Sequence, residues 1–444
     1  MIDELFYAKI STSLSIFALY YAKILFSSYI PDSSHCYGKM FVIFYFLGVF
    51  SLKVQPSKKM SLFVPAIFGE LKQFALQQQE NGMELIDLSL GSPDIPPADF
   101  LRETMSELTK LETSYGYTLT GTQTFNEAVC RYYKRVNSVT LDPATEVVQT
   151  IGSQEGLVHL PVAFCDPGDV VLTTNPAYVA YDAGIHLAGA TPYYMPLTKE
   201  NGYLPDLSAV PEEIAQKAKL LILNLPGNPV PAMPSITYFE DVVAFAKKYN
   251  IVVLHDAAYS EFYFKGDAPI SFLATPGAKE VGLEINSLSK SFSLAGTRIA
   301  YIVGNAEMVS ILKQLKSNLD FGIFEPIQIV AAKALDNAEK ITANLRQTFA
   351  ARHKVLMEGL MSIGWEVAPS DGGMFVWAKY PYDLDSTSFA FEAIAQTGVV
   401  MVPGTVFGTA GEGYVRLALV QNVEKLTQAV EKLSKLQLKK EATV

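Results

Sequence analysis

From residue 100 to about 335, short apolar runs alternate along the chain with segments whose apolar residues recur every three or four positions. Three of the runs are apolar almost throughout, as strands covered on both faces are: 169–176, 219–226 and 250–257. Between the last two, Phe239, Val242, Val243 and Ala246 fall on one face of a predicted helix. This order predicts a parallel sheet with crossover helices.

The pattern changes near residue 336. Two further segments, 373–380 and 413–420, indicate strands of a smaller sheet. A last helix is predicted by the apolar stripe of Val423, Leu426, Val430 and Leu433. We therefore predict an α/β fold with a large, mostly parallel-sheet domain and a smaller α+β domain. The large domain is predicted at 101–335 and the small domain at 336–444. An N-terminal arm at 60–100 would also contribute to the small domain.

The first 59 residues carry apolar, aromatic runs interrupted by lysines, such as MFVIFYFLGVF. This run is well short of the ~20 apolar residues that span a membrane. It also lacks the basic start and the small-residue cleavage site of a secretory signal. We interpret 1–59 as an atypical extension that need not belong to the native fold, which would begin near Met60; a weak anchor at a membrane surface is the alternative.

Composition and charge argue against several classes of function. Of 444 residues, 49% are hydrophobic and 18% charged, which is typical of a globular protein. The net charge of -10, without a long basic block, argues against a nucleic-acid partner. Three scattered cysteines, Cys36, Cys130 and Cys165, favour neither a disulfide framework nor a zinc site. We expect no metal and a reducing compartment, the cytoplasm.

Polar residues follow the apolar runs, where doubly wound sheets bind ligands. The segment GSQEG at 152–156 begins a predicted helix whose N–H groups suit a phosphate, although an ordinary N-cap at Ser153 explains it as well. Asn224 and Asn228 lie in a proline and glycine turn, and Asp256 follows the next run. Each of these signals alone is explained at least as well by turn or cap chemistry.

The stretch 284–304 adds a lysine, Lys290, bordered by apolar segments, with Ser287 before it and Arg298 after it. A buried lysine is costly to keep charged, and a neutral amine is a nucleophile toward carbonyls. A lysine in a surface loop is the alternative. That alternative does not account for the serine and the arginine.

The order of these motifs, ending with Arg416 on a strand, resembles the class I/II pyridoxal-phosphate aminotransferases of fold type I over roughly residues 62–436. Four segments are most similar to the LL-diaminopimelate aminotransferase-like branch: GSQEGLVHLPVAFCDPGDVVL, ENGYLPDL, HDAAYSE and SLSKSFSLAG. The resemblance implies transfer of the amino group of an L-amino acid to a 2-oxo acid, with pyridoxal 5'-phosphate in a Schiff base on Lys290. Which amino donor and acceptor are used stays open.

The resemblance also implies a role for each motif residue. Lys290 would bind the cofactor and then act as the base, Asp256 would keep the pyridine nitrogen protonated, and Tyr259 and Asn228 would contact the phenolic oxygen. The other cofactor-binding residues would be Gly152, Ser153, Gln154, Tyr178, Ser287 and Arg298. The substrate carboxylate would be bound by Arg416, Gly91 and Asn228.

The chain departs from the family pattern at three places. Asn-Pro-Val-Pro at 228–231 stands where Asn-Pro-Thr-Gly is usual, and Ala300 stands where glycine is common. A family tyrosine reaches the phosphate from the neighbouring subunit; here Gly116 occupies its position, and Tyr117 is the candidate. That contact implies a homodimer.

Two alternatives to an aminotransferase stay open. The same scaffold supports β-lyases and decarboxylases, since fold alone does not determine the reaction. The fold is also used as a non-catalytic effector-binding module fused to a DNA-binding domain. The first 59 residues lack the basic recognition helix that such a domain requires.

Overall fold

The computed structural model of the chain describes residues 54–63, 67–266 and 268–440. The interpretation of residues 1–53 as part of an atypical extension lies outside these residues. Numbered in chain order, the α-helices are α1 (Phe68–Glu80), α2 (Asp99–Leu108), α3 (Gln123–Asn137), α4 (Ser153–Phe164), α5 (Ala180–Ala188), α6 (Glu212–Ala215), α7 (Ile236–Tyr249), α8 (Ala278–Val281), α9 (Leu288–Ser291), α10 (Ala306–Lys316), α11 (Glu325–Asp336), α12 (Ala338–Ser362), α13 (Ser386–Thr397) and α14 (Val423–Leu433). Over the described ranges, no helix is both long and apolar enough to cross a membrane.

The strands form three sheets. Their bounds are β1 (Ile86–Asp87), β2 (Val147–Thr150), β3 (Val170–Asn175), β4 (Thr191–Pro196), β5 (Ala218–Asn224), β6 (Val252–Asp256), β7 (Gly282–Ser287), β8 (Ala300–Gly304), β9 (Glu366–Val367), β10 (Phe375–Lys379), β11 (Val399–Val400), β12 (Val402–Pro403) and β13 (Tyr414–Ala418). The large sheet has the order β2-β8-β7-β6-β5-β3-β4. All of its pairings are parallel except those of β8, which is antiparallel to both neighbours.

The large sheet confirms the predicted α/β fold. The three apolar runs correspond to β3, β5 and β6, and β6 is buried at every position after its first. Helix α7 connects β5 to β6 and buries the predicted face, Phe239, Val242, Val243 and Ala246. Burying each of the larger side chains contributes about 1.5–3 kcal/mol. The crossover therefore covers one side of the sheet with apolar surface.

The smaller sheet is antiparallel, with the order β12-β13-β10-β9, and β1 pairs with β11 in a separate two-stranded sheet. Helix α14 packs on this region through Leu426, Ala429 and Leu433. The predicted stripe was wrong at Val423, which is 40% exposed because it is the first residue of the helix. The boundaries proposed at 100/101 and 335/336 stay predictions.

The topology brings distant polar residues to one place. Because β5, β6 and β7 are parallel neighbours, their carboxyl ends lie at the same edge of the large sheet. Strand β13 of the smaller sheet carries Arg416, which is paired in register with Val402.

Candidate active site

Three consecutive neighbours in the large sheet end in polar side chains: β5 at Asn224, β6 at Asp256 and β7 at Ser287. Asn224 is opposite Asp256 in the sheet register, and its Nδ2 donates to the Asp256 carbonyl at 2.8 Å. Its Oδ1 accepts the N–H of Asn228 at 2.7 Å. One amide therefore fixes the turn that carries Asn228 against the end of β6.

Asp256 is 4% exposed, and burial raises the pKa of its carboxyl group. Its Oδ2 accepts the hydroxyl of Tyr181 at 2.9 Å, and its Oδ1 accepts the N–H of Ala258 at 3.2 Å. Tyr181 lies on α5 and is itself buried. The sequence analysis did not identify it; its position three residues after Tyr178 was the available signal.

Lys290 follows β7 in the short helix α9, whose N-cap is Ser287 with its Oγ accepting the N–H of Ser289 at 3.1 Å. The Lys290 amine is partly buried and donates to the carbonyl of Gly91. Burial, together with the positive charges of Arg416 and Arg298, lowers the pKa of Lys290 to about 8. This amine is not the solvated lysine of a surface loop.

The turn before α4 has the geometry of an anion site. Gly152 is the N-cap at φ 74°, so Ser153 is the first residue of the helix and not its cap. A Cβ atom on Gly152 would lie 2.1 Å from Nη2 of Arg298. Any other residue at 152 would therefore displace this guanidinium. Helix N–H groups and a guanidinium together suit a phosphate.

Two of the predicted aromatic residues lie at different depths. The Tyr178 ring meets the Tyr181 ring edge-on, with centroids 5.8 Å apart, and its hydroxyl is 3.5 Å from Oε1 of Gln154. Burial raises the pKa of Tyr178. Tyr117 is 83% exposed, with its ring 5.1 Å from that of Phe321. Tyr178 thus belongs to the site within this chain, whereas Tyr117 faces outward.

Arg416 is 3% exposed, and burial lowers the pKa of its guanidinium to about 10. Its Nη1 donates to Oδ1 of Asn228 at 3.0 Å and its Nη2 to the carbonyl of Ser89 at 2.5 Å. The charged group lies over the rings of Phe375 and Phe407, at 4.3 and 5.0 Å. Its buried Nε has no hydrogen-bond partner within the described ranges.

Tyr259 completes this cluster. It is 6% exposed, and burial raises the pKa of its hydroxyl group, which hydrogen-bonds with the Asn228 side chain. The Tyr259 ring packs edge-on against Phe375, with centroids 5.6 Å apart. Phe375 therefore contacts both Tyr259 and Arg416, a position that the sequence pattern did not indicate.

Comparison with known proteins identifies the family of this chain. Residues 83–433 match the family model described as aminotransferase class I and II. The chain belongs to this family. The aminotransferase is 38% identical over 384 residues to the LL-diaminopimelate aminotransferase of Moorella thermoacetica, covering 86% of this chain and 98% of the relative. It is 40% identical over 378 residues to the protein of the same name from Desulforudis audaxviator, covering 85% and 96%.

A solved structure shows the same fold. The substrate-bound structure of BacF from Bacillus subtilis superposes with a TM-score of 0.84 at 33% identity, covering 88% of this chain and all of that one. These comparisons bear out an aminotransferase of mixed α/β fold. They do not favour the β-lyase, decarboxylase or effector-module alternatives.

Class I and II aminotransferases depend on pyridoxal phosphate, and the residues of this site fit that group. The cofactor needs an amine for its aldehyde, an acid for its ring nitrogen and a cradle for its phosphate. Lys290 is a partly buried amine with a lowered pKa, and Asp256 is a buried carboxyl group. The Arg298 guanidinium packs so closely on the turn at Gly152 that a Cβ there would collide with it. The donor set is therefore complete.

Proposed function

We propose that Lys290 is the residue through which this aminotransferase holds pyridoxal phosphate and moves the substrate proton. The observation that carries this proposal is the amine itself, partly buried with its pKa lowered to about 8 and with two guanidinium groups nearby. When bound, the cofactor supplies an electron sink that acidifies the Cα–H bond of the amino acid. Lys290 Nζ then takes that proton and holds it for return.

The surrounding residues would tune this chemistry. Asp256, which is held by hydrogen bonds from Tyr181 and from the N–H of Ala258, would pair with the pyridine nitrogen. Tyr259 and Asn228 would donate to the phenolic oxygen. The Gly152 turn, Ser287 and Arg298 would hold the phosphate. Each of these roles rests on the fit of the side chain to the group it would meet.

Arg416 would bind the α-carboxylate of the substrate. Its guanidinium is buried against two aromatic rings and is already oriented by Asn228 and by the carbonyl of Ser89. A planar carboxylate accepts two parallel N–H bonds from such a group. We therefore expect amines without a carboxylate to be poor substrates.

For the amino donor we propose LL-diaminopimelate, which is supported by the names of the relatives at 38–40% identity. The test is a half-reaction, in which the purified enzyme receives LL-diaminopimelate without an acceptor while the visible absorbance of its cofactor is followed. We expect rapid loss of that band, with slower loss for aspartate and phenylalanine and none for an alkylamine.

The outcomes of this test are separable. Loss of the band with another amino acid but not with LL-diaminopimelate would contradict the donor and leave Lys290 and Arg416 in place. Loss of the band with the alkylamine at a comparable rate would contradict the role of Arg416. The Lys290→Ala variant serves as the control, since it should show no such band.

We further propose a cytoplasmic homodimer in which Tyr117 reaches the partner's cofactor phosphate. The exposed ring of Tyr117 contacts that of Phe321, and the stretch of chain around it exposes three more apolar side chains, Leu111, Tyr115 and Leu119. Exposed apolar surface of this kind marks interfaces. Tyr115 is the weaker candidate because its hydroxyl already donates to the carbonyl of Thr109 at 2.7 Å. Light scattering should give twice the chain mass, and Tyr117→Phe should weaken cofactor binding more than Tyr115→Phe.

A further inference from the structure

The start of α4 carries a carboxylate close to where the phosphate would bind. Glu155 lies in the first turn of this helix, and its Oε2 accepts the N–H of Ile151, the residue before Gly152. It thereby holds the glycine turn in place. A phosphate at the same helix start would be repelled by this negative charge unless the charge is compensated.

A buried lysine supplies the compensation. Lys316, at the end of α10, has a side chain that is 7% exposed. Its Nζ donates to Oε1 of Glu155 at 3.0 Å and to Oδ2 of Asp320 at 2.7 Å. Burial alone would raise the pKa of Glu155, but hydrogen bonds from His159, Ile151 and Lys316 hold it below the ordinary value. Glu155 is therefore ionised and paired.

The same ammonium group connects the turn to the segment that carries Tyr117. Asp320 accepts the N–H of Gly322 on Oδ1 at 2.7 Å. Gly322 forms an isolated bridge with Thr118, and a Cβ on Gly322 would lie 2.0 Å from the Thr118 carbonyl oxygen. Lys316 thus lies between the phosphate turn and the backbone next to Tyr117.

We propose that Lys316 is a positioning residue for the cofactor phosphate, acting through Glu155. The pair allows Glu155 to fix the Ile151–Gly152 turn without repelling a phosphate bound to that turn. This inference rests on the proposed phosphate site at Gly152 and Arg298. It assigns no contact between Lys316 and the cofactor itself.

The test compares pyridoxal phosphate with pyridoxal, which has the same aldehyde and no phosphate. Both affinities are measured on cofactor-stripped protein from visible absorbance. Lys316→Met should lower the affinity for pyridoxal phosphate by about tenfold, the scale of one hydrogen bond to a charged group. The affinity for pyridoxal should stay nearly unchanged. Glu155→Gln/Lys316→Met should recover most of the loss, because glutamine keeps an acceptor for Ile151 without the charge.

Two further variants serve as controls for this experiment. Lys313→Met, on the same helix with its Nζ bonded to the Ala144 carbonyl at 2.6 Å, is the matched control and should leave both affinities unchanged. Lys316→Met removes the ammonium group from two partly buried carboxylates, Glu155 and Asp320, which is destabilising. If it does not fold, Glu155→Gln/Lys316→Met/Asp320→Asn, which removes all three charges, should bind pyridoxal phosphate close to the wild-type affinity.

Failure of the inference is distinguishable from failure of the proposed function. Arg298→Met tests the phosphate site directly. It should lower the affinity for pyridoxal phosphate and leave the affinity for pyridoxal unchanged. If Arg298→Met keeps the full preference for pyridoxal phosphate over pyridoxal, the phosphate site is wrong. If Arg298→Met loses the preference while Lys316→Met keeps it, or if Lys316→Met weakens both ligands equally, only the inference about Lys316 is overturned.

Discussion

The candidate site has two halves that are built differently. The half proposed to hold the cofactor is formed by neighbouring strand ends of one parallel sheet, where both oxygens of Asp256 already have hydrogen-bond partners. The half proposed to hold the substrate carboxylate joins Arg416 of the smaller sheet to Asn228 and Ser89. There, the buried Nε of Arg416 has no partner in the described part of the chain.

The carboxyl group of Asp256 is therefore fully paired before binding, whereas Arg416 keeps one buried donor that a bound carboxylate would pair. A buried donor without a partner costs about 1–3 kcal/mol, which an incoming carboxylate would recover. The cofactor half has no such deficit at Asp256. Substitutions in the two halves should therefore affect cofactor affinity and substrate kinetics separately.

The largest effect is expected for Lys290→Ala, which removes the group common to both halves. Turnover should fall by at least about 10³-fold, since a positioned general base contributes up to about 10⁴-fold, and the visible band of the bound cofactor should vanish. Absorbance spectra and steady-state assays measure both. Amino-group transfer at a comparable rate in this variant would overturn the assignment.

Arg416→Lys should lower kcat/KM by about 100-fold, because lysine cannot make the planar two-bond contact. Affinity for pyridoxal phosphate should hardly change. Arg298→Lys is the matched variant of the other half and should show the reverse pattern. If Arg416→Lys lowers the affinity for pyridoxal phosphate by as large a factor as it lowers kcat/KM, the two halves are not separate.

The pH dependence of cofactor attachment tests the cofactor half alone. Only the neutral Lys290 amine attacks an aldehyde, and its fraction rises about tenfold per pH unit below the pKa. With a pKa of about 8, attachment to cofactor-stripped protein should accelerate by about tenfold from pH 7 and level off above pH 8. Stopped-flow absorbance measures this rate. A rate that still rises steeply above pH 9 would contradict burial of the amine.

The smallest effect is expected for Tyr181→Phe, which removes one of the two hydrogen bonds to Asp256. Turnover should fall by about three- to tenfold, the scale of one ordinary hydrogen bond. Tyr178→Phe is the control, because its hydroxyl meets Gln154 only at 3.5 Å. Equal losses in the two variants would show that Tyr181 does not act through Asp256.

Much of the architecture was predictable because it is locally encoded. The runs that became β3, β5 and β6 are apolar on both faces, and the face of α7 follows the helical period. The turn at Gly152 and the lysine after β7 were predictable from residue type and position. Val423 was wrongly assigned to the buried face of α14, because periodicity does not show which residues at the end of a helix extend beyond its packing partners.

The sequence by itself determined the elements, their order and the residue types at the strand ends, because these depend on side-chain period and local backbone preference. Only the tertiary structure decided that Tyr181 bonds to Asp256, that Ser89 and Asn228 orient Arg416, and that Lys316 pairs with Glu155. The Ser89 and Arg416 partners are 327 residues apart. Such pairs depend on how elements distant in the sequence pack together, which no local pattern specifies.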